Sequence, residues 1–152
     1  MKLQFIGTGS GKTSLKRAHS SILISSGKSN ILVDCGDGTS RALFKNSADF
    51  NSIDSIIFTH YHPDHFSGIA SLIAQMKLNK RKSELTIYTP KNLLEPLKQF
   101  LITSYLFMEA INFDIQFIEY DFNSECRIDE NFSFLAKQNS HIQNRYNVKI
   151  VS

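Results

Sequence analysis

The sequence has no tryptophan, only two cysteines and three prolines, and no run of about twenty apolar residues. Each shortage excludes something. Cys35 and Cys126 are too few for a disulfide framework, so a reduced, cytoplasmic chain is expected. The lack of a long apolar run gives no membrane span. The opening Met1-Lys2-Leu3-Gln4-Phe5-Ile6 meets Gly7 too soon for a secretory signal and reads as a first strand. A net charge of +3 is far from that of a dedicated nucleic-acid binder, yet it does not repel an anionic substrate. What remains is a chain of 152 residues, 41% apolar and 20% charged, enough for one domain with a sizeable core.

Periodicity predicts a mixed α/β order. Strands are expected at 2–6, 21–25 and 30–34, with hairpin-turn chemistry in Ser26-Gly27-Lys28-Ser29. Asp37-Gly38-Thr39 opens a short helix to about Lys45, capped by Thr39 or Asp37, with Ala42 and Leu43 facing inward. A strand over 53–59 carries Ile56-Ile57-Phe58, a continuous apolar run suited to burial on both faces. Ile69, Leu72, Ile73 and Met76 have helical spacing within 68–79. A strand at 85–88 follows, then a helix from 92 to about 108 with Pro96 in its first turn or at a kink. Strands are expected at 113–120, 132–137 and 147–151. The basic clusters Lys12-Lys16-Arg17 and Lys77-Lys80-Arg81-Lys82 read either as solvated surface or as anion-binding groups.

The densest chemistry lies in Thr59-His60-Tyr61-His62-Pro63-Asp64-His65. Zinc favours imidazole nitrogen and carboxylate oxygen, and four such groups within six residues point to a metal site. In an extended segment His60 and His62 project to the same side and can share one ion, leaving Asp64 and His65 for a second. The position just after a buried strand matches the place where α/β sheets build sites. The glycine loop Gly7-Thr8-Gly9-Ser10-Gly11-Lys12-Thr13 is not a P-loop, because Gly7 and Gly11 enclose three residues instead of four. It reads as a tight turn lining the cleft.

His-x-His-x-Asp-His after a buried strand resembles the hallmark of the metallo-β-lactamase superfamily. The resemblance runs through essentially the whole chain. It implies an αββα sandwich of which this chain is the N-terminal half, residues 1–152 forming one incomplete domain. Three segments resemble the ribonuclease Z family: Phe5-Ile6-Gly7-Thr8-Gly9-Ser10-Gly11, Ser14-Leu15-Lys16-Arg17-Ala18-His19, and Asp34-Cys35-Gly36-Asp37-Gly38-Thr39-Ser40-Arg41. Ser14 and Ala18 stand where that family has proline and asparagine, and Tyr61 and Pro63 where it usually has leucine and glycine.

The resemblance implies two zinc ions, with manganese or iron as alternatives. His60, His62 and His141 would hold the first, and Asp64 and His65 the second. Asp34 would support the metal loop from behind, since metal-bound imidazoles need a partner for their other nitrogen. Asp64 would handle the proton of the attacking water, and Lys16 and Arg17 would bind substrate phosphates. The implied activity is that of a phosphodiesterase acting on tRNA 3′ ends. The alternatives are a hydrolase of small esters, cyclic phosphodiesters, sulfate esters or lactones, and an inactive metal-binding module. A later bridging aspartate and a final histidine are expected beyond residue 152, whether through truncation or fragmentation. The expected consequences are weak or absent activity of the isolated chain, a first metal site better formed than the second, and self-association through an exposed sheet face.

Overall fold

The structure, a computed structural model, describes residues 1–27 and 29–137. Six strands form one sheet in chain order: β1 (Lys2–Gly7), β2 (Ser21–Ser26), β3 (Ser29–Val33), β4 (Ser55–Ile57), β5 (Leu85–Pro90) and β6 (Ile115–Tyr120). The first three pair antiparallel and the last four parallel. The connections explain the switch. A tight turn with Gly27 at φ 60° joins β2 to β3, whereas each parallel strand needs a helical return. Those returns are α1 (Thr39–Lys45), α2 (Pro63–Phe66) with α3 (Ile69–Leu78), and α4 (Leu94–Thr103).

Alternation along the strands divides the core in two. Leu23, Leu32, Ile56 and Ile87 face the helices and meet Leu43 of α1, Leu72, Ile73 and Met76 of α3, and Leu97 and Leu101 of α4. Ile31, Ile57, Tyr88 and Tyr120 face the other way. That second face is partly covered by the two-stranded pair β7 (Glu125–Arg127) and β8 (Ser133–Leu135), whose Cys126 and Phe134 pack on it. Edge-on aromatic contacts of Phe134 with Tyr88 and Tyr120, at 5.8 and 5.0 Å, fix this layer.

Several boundaries differ from the sequence expectation. The strand expected over 53–59 is only β4, because Phe50–Ser52 forms a 3₁₀ turn and the chain leaves the ladder after Phe58, whose N–H donates to the Tyr88 carbonyl at 2.9 Å. The helix expected to reach 108 stops at Thr103, where Tyr105 turns left-handed at φ 58° and Leu106 N–H donates to the Leu101 carbonyl. Pro96 lies in the first turn of α4. Neither Thr39 nor Asp37 caps α1. Gly38 is the N-cap at φ 80°, and the Thr39 hydroxyl donates to the Gly36 carbonyl at 2.7 Å. Strand β7 was not expected, since charged residues flank its one apolar side chain. The strand expected at 147–151 lies outside the described residues.

Arg81, read from sequence as part of a basic surface cluster, is instead 1% exposed. Its guanidinium donates to the carbonyls of Ser83 (2.8 Å), Asn51 (3.1 Å) and Glu84 (2.5 Å) and sits 5.4 Å from the Phe113 ring centre. It thereby ties the turn before β4 to the turn before β5. Burial pushes its pKa down, with Asp54 and Asp49 opposing. Arg81→Met should lower unfolding stability by about 3 kcal/mol, because three part-buried carbonyls lose charged donors. Arg81→Lys should recover less than half of that, since an ammonium cannot span the same fork. Urea denaturation of the variants checks both.

Candidate metal centre

The histidine loop leaves the carboxyl end of β4 and runs straight into α2. His62 is the N-cap of α2, Pro63 its first residue, and Asp64 the acidic group of its first turn. The helix start therefore places His65 back toward His60. The His60 ring centre lies 4.7 Å from that of His62 and 4.1 Å from that of His65. His65 Nε2 stands 3.7 Å from Asp64 Oδ2. His60 is buried, Asp64 and His65 are half-buried, and His62 is exposed, so the cluster opens to solvent on one side.

One carboxylate orients this cluster. Asp34, 4% exposed at the end of β3, accepts from Thr59 N–H at 2.8 Å, from the Thr59 hydroxyl at 2.9 Å, and from His65 Nδ1 at 2.6 Å. A carboxylate only accepts, so His65 carries a proton on Nδ1, and in its neutral form Nε2 is the lone pair. The Thr59 hydroxyl has one proton and gives it to Asp34. Its oxygen must then accept from His60 Nδ1, 3.0 Å away. His60 is thereby held in the same tautomer, with its Nε2 also an acceptor. One buried acid sets both rings, directly for His65 and through Thr59 for His60. The bond to Asp34 pushes the pKa of His65 up, burial opposes, and the charges of Asp34 and Asp64 add to the rise.

The backbone beneath is closely fitted. Cys35 N–H donates to the His65 carbonyl at 2.7 Å, Gly68 N–H to the Cys35 carbonyl at 2.9 Å, and Ser20 N–H to the Asp64 carbonyl at 3.0 Å. A Cβ on Gly36 would overlap the Asp64 carbonyl oxygen, and one on Gly68 would overlap the Gly36 carbonyl oxygen. Gly11, from the glycine loop, lies so that an added Cβ would be 3.8 Å from the Asp64 carboxylate. Tyr61 was noted in the sequence only as a departure from a family pattern. It stacks on Phe66 at 4.9 Å, meets Phe58 edge-on at 5.6 Å, and its hydroxyl is bonded to Thr89 Oγ1 at 2.7 Å. Phe66 continues the contact to Phe100 of α4 at 5.2 Å.

The donor chemistry fits a divalent ion: two imidazoles held as Nε2 acceptors, a third on the solvent side, and a carboxylate beside them. Among the described residues, no three His, Cys, Asp or Glu side chains surround a single point. His141, expected as a further ligand, lies outside the described residues. Lys16 and Arg17 are exposed and line a cleft of about 570 Å³ that none of the metal-loop histidines lines. Asp34→Ala should destabilise the metal-free protein by about 2 kcal/mol, since it strips the acceptor from three part-buried donors. Thr59→Val should cost less stability but release the His60 tautomer. Nitrogen NMR of the metal-free imidazoles should show the Nδ1-protonated form of His60 falling while that of His65 is unchanged.

Known proteins share this fold. Over 141 residues the chain is 34% identical to ribonuclease Z of Archaeoglobus fulgidus, covering 93% of this chain and 44% of that one. Human tRNase Z, short form, superposes with a TM-score of 0.68 at 28% identity, covering 80% of this chain and 46% of the other. The metallo-β-lactamase fold protein YhfI of Bacillus subtilis gives a TM-score of 0.66 at 25% identity, with 83% and 49% covered. The chain thus spans less than half the length of each of these relatives. A family model described as Anti-Pycsar protein Apyc1 matches residues 1–151. The chain has the metallo-β-lactamase fold, is similar to ribonuclease Z, and belongs to the Anti-Pycsar protein Apyc1 family.

Proposed function

We propose that this chain carries the metal-binding part of a metal-dependent phosphodiester hydrolase acting on tRNA 3′ ends. The observation that carries the reading is the Asp34 network, which presents the Nε2 atoms of His60 and His65 as acceptors beside the Asp64 carboxylate. Relatives named ribonuclease Z and tRNase Z support the substrate. His60 and His62, with His141, would hold one zinc, and Asp64 with His65 a second; manganese or iron suits the same donors. Bound zinc supplies Lewis acidity that brings a neighbouring water to a pKa of about 7 and offsets charge on the phosphoryl oxygens. Asp64 orients the attacking water and takes its proton on a carboxylate oxygen. The buried acid Asp34 keeps the rings from turning.

A second reading has its own support. The family model spanning residues 1–151 is not a ribonuclease Z model, and Ser14 and Ala18 break the ribonuclease Z loop pattern. A small cyclic phosphodiester would suit a chain that keeps the metal chemistry and loses that loop.

Zinc titration into the chelator-treated chain should show uptake that Asp34→Asn weakens about 10–100-fold. Absence of zinc uptake by the unaltered chain would sink both readings. Zinc-dependent turnover, where measured, should fall about 10²–10⁴-fold in Asp64→Asn. Cleavage of a precursor tRNA in preference to a cyclic dinucleotide supports the first reading, and the reverse preference the second.

A further inference from the structure

Pro90 closes β5 and is buried. Phe58 N–H donates to the Tyr88 carbonyl at 2.9 Å, so the next bond of that parallel ladder would join the Phe58 carbonyl to the N–H of residue 90. A proline has no N–H to give. The β4–β5 pairing therefore ends at Ile57 and Tyr88, and the Phe58 carbonyl needs another donor. That donor comes from the next strand. Tyr120 on β6 pairs with Pro90, and its hydroxyl donates to the Phe58 carbonyl at 2.7 Å, a buried bond. The Tyr120 side chain thus reaches across β5 to the end of β4. It is 4% exposed, and its ring is held edge-on by Phe134 of β8 at 5.0 Å and by Phe122 at 6.0 Å. Burial pushes the phenol pKa up, with Asp34, Tyr61 and Cys126 adding to the rise, so the proton that makes the bond stays in place.

The Phe58 carbonyl and the Thr59 N–H belong to one trans peptide group and point to opposite sides of it. Thr59 N–H donates to Asp34 Oδ1 at 2.8 Å. One peptide plane is therefore gripped from both sides, by Tyr120 of β6 and by Asp34 at the end of β3. Rotating that plane would swing the Thr59 hydroxyl, which joins Asp34 to His60 Nδ1. We propose that Tyr120 is a positioning residue for the histidine loop. Its hydroxyl replaces the amide that Pro90 lacks and, opposite Asp34, fixes the peptide plane that aims His60. A donor on the carbonyl also polarises the peptide and strengthens Thr59 N–H as a donor to Asp34. The β7–β8 pair thereby acts on the site, since Phe134 holds the ring that holds the loop. The consequence for metal binding rests on the zinc reading of His60; the peptide geometry does not.

Tyr120→Phe, Pro90→Ala and the double variant of the full 152-residue chain form a cycle that tests this. Phenylalanine keeps the ring against Phe134, and alanine restores the missing N–H. In the metal-free protein, NMR of Tyr120→Phe should show the Thr59 amide proton moving upfield and the Nδ1-protonated share of His60 falling. The urea-unfolding equilibrium constant should rise about tenfold, the effect of leaving one buried carbonyl without its donor. Zinc uptake should weaken about tenfold. In the Pro90→Ala background the same substitution should cost less than about threefold in either quantity, because the new N–H serves the Phe58 carbonyl. Tyr88→Phe, which removes a hydroxyl from the same layer, should leave the Thr59 and His60 signals in place. Equal losses in both backgrounds overturn the proposal, as do Thr59 and His60 signals unmoved by Tyr120→Phe. If Pro90→Ala does not fold, those signals decide alone. If the unaltered chain takes up no zinc, the hydrolase reading falls, and the metal-free signals and unfolding cycle still decide this inference. If zinc binds and the cycle shows no coupling, this inference falls alone.

Discussion

The Asp34 carboxylate is the constraint on which the rest of the site depends. It is buried, and a buried carboxylate is tolerable only when its oxygens are bonded. Thr59 and His65 provide those bonds, so the acid and the histidine loop stabilise one another. The geometry behind this is unusual for the residue. Asp34 adopts φ 60°, a left-handed conformation that aspartate tolerates better than most residues with a Cβ. Its N–H still donates to the Ile57 carbonyl at 2.9 Å, extending the β3–β4 ladder by one step before the chain turns away. The acid thus leaves the sheet at the point where the histidine loop leaves it.

That coincidence comes from the parallel pairing. Strands β3 and β4 run the same way, so both release their loops at the same edge, and residues 25 apart in sequence become neighbours. Between the loops there is no room for side chains. Gly36 and Gly68 let three backbone segments touch, and backbone hydrogen bonds from Cys35, Gly68 and Ser20 close the gap. Cys35 contributes only bulk here. It is wholly buried, and burial pushes its thiol pKa far up.

Much of this was legible in the sequence, for reasons that differ by residue. The strands and α3 announced themselves by period, because their burial is one-sided or complete over several residues. The clustering of the histidines was legible because four side chains of metal-ligating type so close together in sequence have few other uses. Asp34 required the family resemblance, since an aspartate after a strand has several ordinary roles. Three features left no such trace. The burial of Arg81 depends on carbonyls from two distant turns, so its charge pointed to the surface. The tautomer of His60 depends on which way one threonine proton points. The companions of Lys16 and Arg17 are on α1, more than twenty residues away, and only the fold brings Arg41 and Lys45 beside them.

The residues between the histidines are as constrained as the histidines. In an extended segment, neighbours project to opposite sides, so placing His60 and His62 on one side sends Tyr61 to the other. There it finds Phe58, Phe66 and Thr89, which makes the spacer the loop's anchor to β5 and α2. Burial pushes the Tyr61 phenol pKa well up, so it stays a neutral hydroxyl bonded to Thr89. The next spacer, Pro63, has no N–H to lose at the first position of α2 and a backbone angle already suited to a helix. It therefore stops the extended segment after His62 and starts the turn that carries Asp64 and His65. One spacer fixes the depth of the loop and the other fixes where it bends. The spacing of His60, His62, Asp64 and His65 in sequence becomes a spacing in space only because both spacers hold.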